Sequence, residues 1–158
     1  LLLSAQAWHW TDEATRWQKA AECLRPGGSL AILGNYDLIA DESLRQQFDQ
    51  VHTENAPTVD WSDEPFDEGQ LWQRLWGPEL QMQDLDDQRA ELFHSVRTSS
   101  RADYIGFLAT HSPYRMLPEH TYRAVFSAIT EVLPDPVVCN VDSVLYLARR
   151  PARRSMRK

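Results

Sequence analysis

The chain has 158 residues, 42% of them hydrophobic and 25% charged, with a net charge of −7. Those values fit one globular domain with a real core and leave no apolar run near the about 20 residues that a membrane-spanning helix needs. Residues 149–158 hold six of the 16 basic side chains, so the rest stands at −13, the wrong sign for a face that neutralises phosphates.

Leu1 to Leu3 lacks the basic flank and cleavage site of a secretory leader, and the expectation is a cytosolic protein. Cys23 and Cys139 lie far apart without metal-ligand spacing and read as two buried, reduced thiols. The chain opens inside an apolar run rather than at a methionine, which leads us to expect a piece of something longer.

Leu1 to Trp10 reads as the end of a strand running into a polar, aromatic loop. Thr11-Asp12-Glu13 offers an N-cap and two first-turn acids, and Ala14, Trp17, Ala21 and Leu24 follow at helical spacing, with Arg16, Gln18 and Lys19 off that stripe. Pro26-Gly27-Gly28 ends the helix, and Ser29 to Leu33 is an apolar run typical of a strand buried on both faces. Strand, loop, helix, turn and strand make one right-handed crossover of a parallel sheet. Ligands of such sheets sit beyond the carboxyl ends of the strands, where Ser4 to Trp10 lies.

Asp41 should cap a helix through Leu44, Phe48 and Val51, and the proline- and acid-rich residues 53–69 read as a loop or lid. A short helix carrying Leu71, Trp72, Leu75 and Trp76 is expected to follow. Leu92, His94 and Val96 share one face of a strand. Ser99-Ser100 should start a helix through Ile105 and Leu108, and Pro118 another through Val125, Phe126 and Ile129. Val137 to Ala148 reads as a closing strand with a break near Asp142-Ser143, followed by a basic, disordered tail over 151–158.

Two quoted segments carry a resemblance. Ser4-Ala5-Gln6-Ala7-Trp8-His9-Trp10, then a helix, then Leu24-Arg25-Pro26-Gly27-Gly28 and a hydrophobic strand resemble the second half of class I S-adenosylmethionine-dependent methyltransferases. The small-molecule branch called type 11, which includes the trans-aconitate-methyltransferase-like proteins, is the group resembled. It implies an α/β fold: the C-terminal half of a Rossmann-like methyltransferase sheet, strands four to seven with the last antiparallel. Residues 1–150 would form a partial methyltransferase domain, with 36–90 as a helical insertion or lid. The cofactor implied is S-adenosyl-L-methionine and the partner a small-molecule methyl acceptor, with no nucleic acid and no membrane.

The resemblance places Ser4, Ala5 and Gln6 on the cofactor side. His9 is the candidate proton acceptor, against a purely structural part in the loop; Trp8, Trp10 and Tyr114 are candidates for the acceptor wall, against plain packing. The other histidines show no spacing with a carboxylate or cysteine that would hold a metal. The six glycines, Gly27, Gly28, Gly34, Gly69, Gly77 and Gly106, form no G-x-G-x-x-G pattern. The family's glycine-rich cofactor loop and its ribose-binding acid are therefore missing, and the isolated chain is expected to be inactive. Without the preceding strands, the first strand would present an apolar edge prone to self-association. A different class of function stays open: a non-catalytic module or decayed half-domain that pairs with a partner.

Overall fold

The structure, a computed structural model, describes residues 1–59 and 85–152. The acidic stretch 60–68, the expected helix around Trp72 and Trp76, and the tail beyond residue 152 lie outside the described residues. In chain order the elements are β1 (Leu2–Ala5), a 3-10 turn (Trp8–Trp10), α1 (Arg16–Cys23), β2 (Ser29–Ile39), α2 (Glu42–Asn55), β3 (Asp86–Ser99), α3 (Arg101–Leu108), α4 (Ser112–Arg115), α5 (Glu119–Val132) and β4 (Val137–Arg149).

The strands form one sheet in the order β1-β2-β4-β3. β1 and β2 are parallel, with Leu2 opposite Leu30 and Ala5 opposite Leu33. Arg150 N–H donates to Gly28 O, and Ala40 N–H to Val138 O; high numbers meet low ones, so β4 runs against β2. Asp87 facing Arg149 and His94 facing Asp142 set β3 antiparallel to β4 in turn. β1 forms an edge, where Leu1 and Leu3 are exposed.

The chain divides into two compact units, with boundaries inside the long strands. The first contains residues 1–36, the described part of 66–94, and 142–152. Its core joins Trp8, Trp17, Ala20 and Leu24 to Leu30, Ile32, Val144 and Tyr146. The second contains residues 37–59 and 95–141. Its core is larger: Phe48 and Val51 of α2 pack with Val125 and Ile129 of α5, together with Tyr104, Leu108 and Tyr114. Each buried side chain of this size contributes about 1.5–3 kcal/mol.

Several local signals act as the residue types predict. Asp41 caps α2, its carboxylate accepting from Leu44 N–H at 2.7 Å. Ser100 Oγ likewise accepts from Asp103 N–H at 3.1 Å and opens α3. Such caps are worth about 1 kcal/mol each. Gly27 takes a φ of 75°, the left-handed conformation that glycine adopts without a Cβ penalty.

Other expectations are corrected. α1 begins at Arg16 rather than Thr11. Asp12 instead closes a turn, accepting from Ala14 N–H and from the Thr15 hydroxyl, and those two bonds, the hydroxyl's first, hold its carboxyl below the usual carboxylate range. Ala14 is exposed while Arg16, placed off the buried stripe by the sequence reading, is buried. Cys139 is buried as expected, but Cys23, at the last residue of α1, is exposed. β2 continues past Leu33 to Ile39. β4 shows no break at Asp142-Ser143, because both side chains find partners on neighbouring strands: His94 for Asp142 and Asn35 for Ser143.

Arg150 ties the end of β4 to α1. Its Nη1 donates to Ala21 O at 2.9 Å, to Glu22 O at 3.3 Å and to Leu24 O. These carbonyls lie at the helix C-terminus, where a cation is favoured. Arg150→Ala is expected to cost about 1–2 kcal/mol of stability. Arg149→Ala, which removes an exposed pair with Asp87, should stay within about 0.5 kcal/mol. Paired urea melts check the contrast, and equal losses would refute the capping role.

Candidate functional site

β1 stops where the backbone turns over. Gln6 has a φ of 51°, a left-handed conformation that costs a non-glycine residue about 1–3 kcal/mol. Two bonds hold it there. Its N–H donates to Leu33 O at 2.9 Å, and its side-chain Nε2 donates to Asn35 O at 3.0 Å. Both partners belong to β2, so the turn is fixed against the neighbouring strand. One of the two amide N–H donors of Gln6 is thereby used, while Oε1 stays an acceptor.

The 3-10 turn follows. Trp10 N–H donates to Ala7 O and Thr11 N–H to Trp8 O, each at 3.1 Å. Thr11 Oγ1 adds a second bond to Trp8 O at 2.6 Å. This turn sends its aromatic residues in opposite directions. Trp8 is 4% exposed and Trp10 67%. Trp8 packs against Trp17 with ring centroids 4.7 Å apart, and its buried Nε1 has no hydrogen-bond partner among the described residues. His9 is exposed, and its ring lies 5.2 Å from that of Trp10.

Beside β1 and α1 is a cavity of about 420 Å³, within the usual range for small-molecule sites. Ser4 and Trp8 line it, together with Asp12, Arg16, Lys19 and Cys23. Of the residues singled out from the sequence, it thus brings together Ser4 and Trp8. Ala5, Gln6, His9 and Trp10 do not line it. Tyr114 belongs to the second unit, where it is fully buried with its hydroxyl 2.6 Å from His52 Nε2. Asp12, Arg16, Lys19 and Cys23 were missed. Arg16, Lys19 and Cys23 stand three and four residues apart on one stripe of α1, a signal present in the sequence, and Asp12 lies in the turn before that helix.

The fit to S-adenosylmethionine is partial. Gly27, the positive-φ glycine among the described residues, sits in the turn before β2 with open space around it. Gly28 is closed against Arg25 O, where a Cβ would come within 2.8 Å. Neither forms a cradle after a strand. Among the described residues these glycines therefore offer no cradle for that cofactor. Among the same described residues no group of histidines, cysteines or carboxylates could hold a metal ion, and no helix is long and apolar enough to cross a membrane.

No protein-family model matches the sequence, and no curated protein matches it. Solved structures do. A candidate type II methyltransferase from Anaeromyxobacter dehalogenans matches over 96% of this chain with a TM-score of 0.57 at 17% identity. A candidate methyltransferase from Bacillus halodurans matches over 95% of the chain and 63% of its own, with a TM-score of 0.46 at 16% identity. The chain spans about 64% of the length of the Anaeromyxobacter protein.

The fold is the α/β methyltransferase fold of class I. β1, β2 and β3 take the places of its fourth, fifth and sixth strands, and the antiparallel β4 lies between the last two.

Proposed function

We propose that this chain serves S-adenosylmethionine-dependent methyl transfer to a small molecule. It would contribute the strands from β1 onward, one wall of the cofactor site and part of the acceptor pocket. The observation that carries this reading is the left-handed Gln6 at the carboxyl end of β1, bonded twice to β2. Open α/β sheets bind their ligands at that end, and strain in a non-glycine residue persists where its surroundings over-determine it. The fold likeness supports the reaction class, and the size of the cavity beside Ser4 supports a small acceptor.

In this reading Ser4 and Ala5 leave room for the cofactor, and the Gln6 oxygen accepts a hydrogen bond from it. Trp8 supports the loop from beneath, and the exposed His9 and Trp10 stand at its rim. Group transfer of this kind depends more on alignment than on acid–base chemistry, and a loop pinned to its neighbouring strand provides alignment.

Titration of the 158-residue chain with S-adenosylmethionine, followed by amide NMR and calorimetry, tests the proposal. Shifts confined to Ser4, Ala5 and Gln6 at millimolar cofactor are the expected result. Silence at those amides would remove the reading. Micromolar affinity would remove the idea that the chain supplies only one wall.

A further inference from the structure

The first unit carries a second group of polar side chains that the strand-end loop does not use. His94 Nδ1 lies 2.6 Å from Asp142 Oδ1, across 48 positions of sequence. The Asp142 side chain is 13% exposed and that of His94 59%. The carboxylate is therefore held back in the sheet, while the imidazole faces outward. An ionised carboxylate can only accept, so the proton of the neutral ring resides on Nδ1. Nε2 then carries a bare lone pair.

The row extends to β2. The Gly28–Arg150 and Ala40–Val138 backbone bonds share one register, and counting along it sets Tyr36 opposite Asp142. The Tyr36 ring lies back over Gly34: a Cβ there would come within 3.2 Å of both its Cε2 and its hydroxyl. Burial pushes the Tyr36 hydroxyl up from its ordinary pKa, so it stays protonated. Tyr36, Asp142 and His94 thus occupy one row across β2, β4 and β3. Two strand spacings, about 10 Å, separate the backbones of Tyr36 and His94.

We propose that His94 Nε2 is the proton acceptor for a small hydroxyl-bearing ligand, with Asp142 as its positioning residue. The ligand O–H bond breaks, an N–H bond forms at Nε2, and the electron pair stays on the ligand oxygen. The imidazolium so formed is stabilised by the Asp142 carboxylate. The inference rests on the methyl-transfer reading only for the fate of that oxygen, which there becomes the methyl acceptor. Among the described residues no carboxylate orients His9 in this way: its ring meets Trp10.

Two-bond proton–nitrogen NMR on the nitrogen-labelled chain reads the ring directly, with His94→Gln to assign it. At about pH 8, where an ordinary histidine is neutral, the expected spectrum shows Nδ1 protonated and Nε2 bare. Added phenol, a hydroxyl probe that keeps its proton at that pH, should shift His94 Nε2 saturably. Asp142→Asn can donate to Nδ1, so it should flip the proton to Nε2 and abolish the response. A wild-type ring protonated on Nε2, no saturable shift, or an equal response in Asp142→Asn would each overturn the proposal. The cofactor titration at Ser4 to Gln6 reads the methyl-transfer proposal separately, so either can fail while the other stands.

Discussion

Trp8→Ala is expected to cost about 3–5 kcal/mol of folding stability, the range for truncating a buried large aromatic residue. Trp10→Ala should cost less than about 0.5 kcal/mol, as for exposed positions without special contacts. The two residues stand two positions apart in the same motif, yet Trp8 is 4% exposed and Trp10 67%. Trp8 joins the turn to α1 through Trp17, and its loss would leave a hole next to an existing cavity. Trp8→Phe should recover most of the loss. It keeps a ring against Trp17 and removes an indole N–H that has no partner among the described residues. Urea denaturation of the three variants checks the order. Similar costs for Trp8→Ala and Trp10→Ala would mean that the 3-10 turn does not anchor the loop. If the order holds, Trp8 is a support for the strand-end site, and Trp10 is the tryptophan of the pair free to meet a ligand.

The same pair shows what could be read from the sequence. Local chemistry was legible: the Asp41 and Ser100 caps, the Pro26-Gly27-Gly28 turn, the apolar run that gave β2 and the alternation that gave β3. Each depends on residues within a few positions of one another. The succession of strands along the chain and the antiparallel last strand were legible through the resemblance carried by the two quoted segments, and the likeness to the Anaeromyxobacter structure accords with it; the place of that last strand within the sheet was not. What remained hidden depends on competition between neighbouring caps or on long-range pairing. Thr11 looks like a cap, but Asp12 outcompetes it by closing a turn with Thr15 and Ala14. Gln6 gives no sign in sequence of its left-handed backbone, because Leu33 and Asn35 impose that conformation from β2. His94 looked like a strand residue without a partner until β4 brought Asp142 to it.

Another long-range polar pairing, buried in the second unit, carries the second large effect. His52 is 3% exposed in the core of the second unit. Its Nδ1 lies 2.7 Å from Phe48 O, and its Nε2 2.6 Å from the Tyr114 hydroxyl, 62 positions away. A carbonyl can only accept, so Nδ1 carries the proton and Nε2 accepts from Tyr114. Tyr114→Phe leaves a buried acceptor short of one hydrogen bond and is expected to cost about 1–3 kcal/mol. The double variant His52→Leu with Tyr114→Phe replaces both groups by apolar ones and should cost less than the two single changes together. Burial, the dominant cause, lowers the pKa of His52 below its ordinary value, against smaller upward pulls from Phe48 O and Asp49. The unfolded ring therefore takes up a proton, near about pH 6.5, that the folded ring refuses. Stability is full above that pH and falls as the pH drops through it, until the folded ring also titrates. His111, also lowered by burial, adds a slope of the same sign, while burial raises Asp37, which favours the folded state at lower pH. Subtracting the double variant's pH profile from the wild type's isolates His52. A difference that declines below about pH 6.5 is the expected result, and a difference that stays flat between about pH 7 and pH 5 would show that the ring is not held neutral in the core.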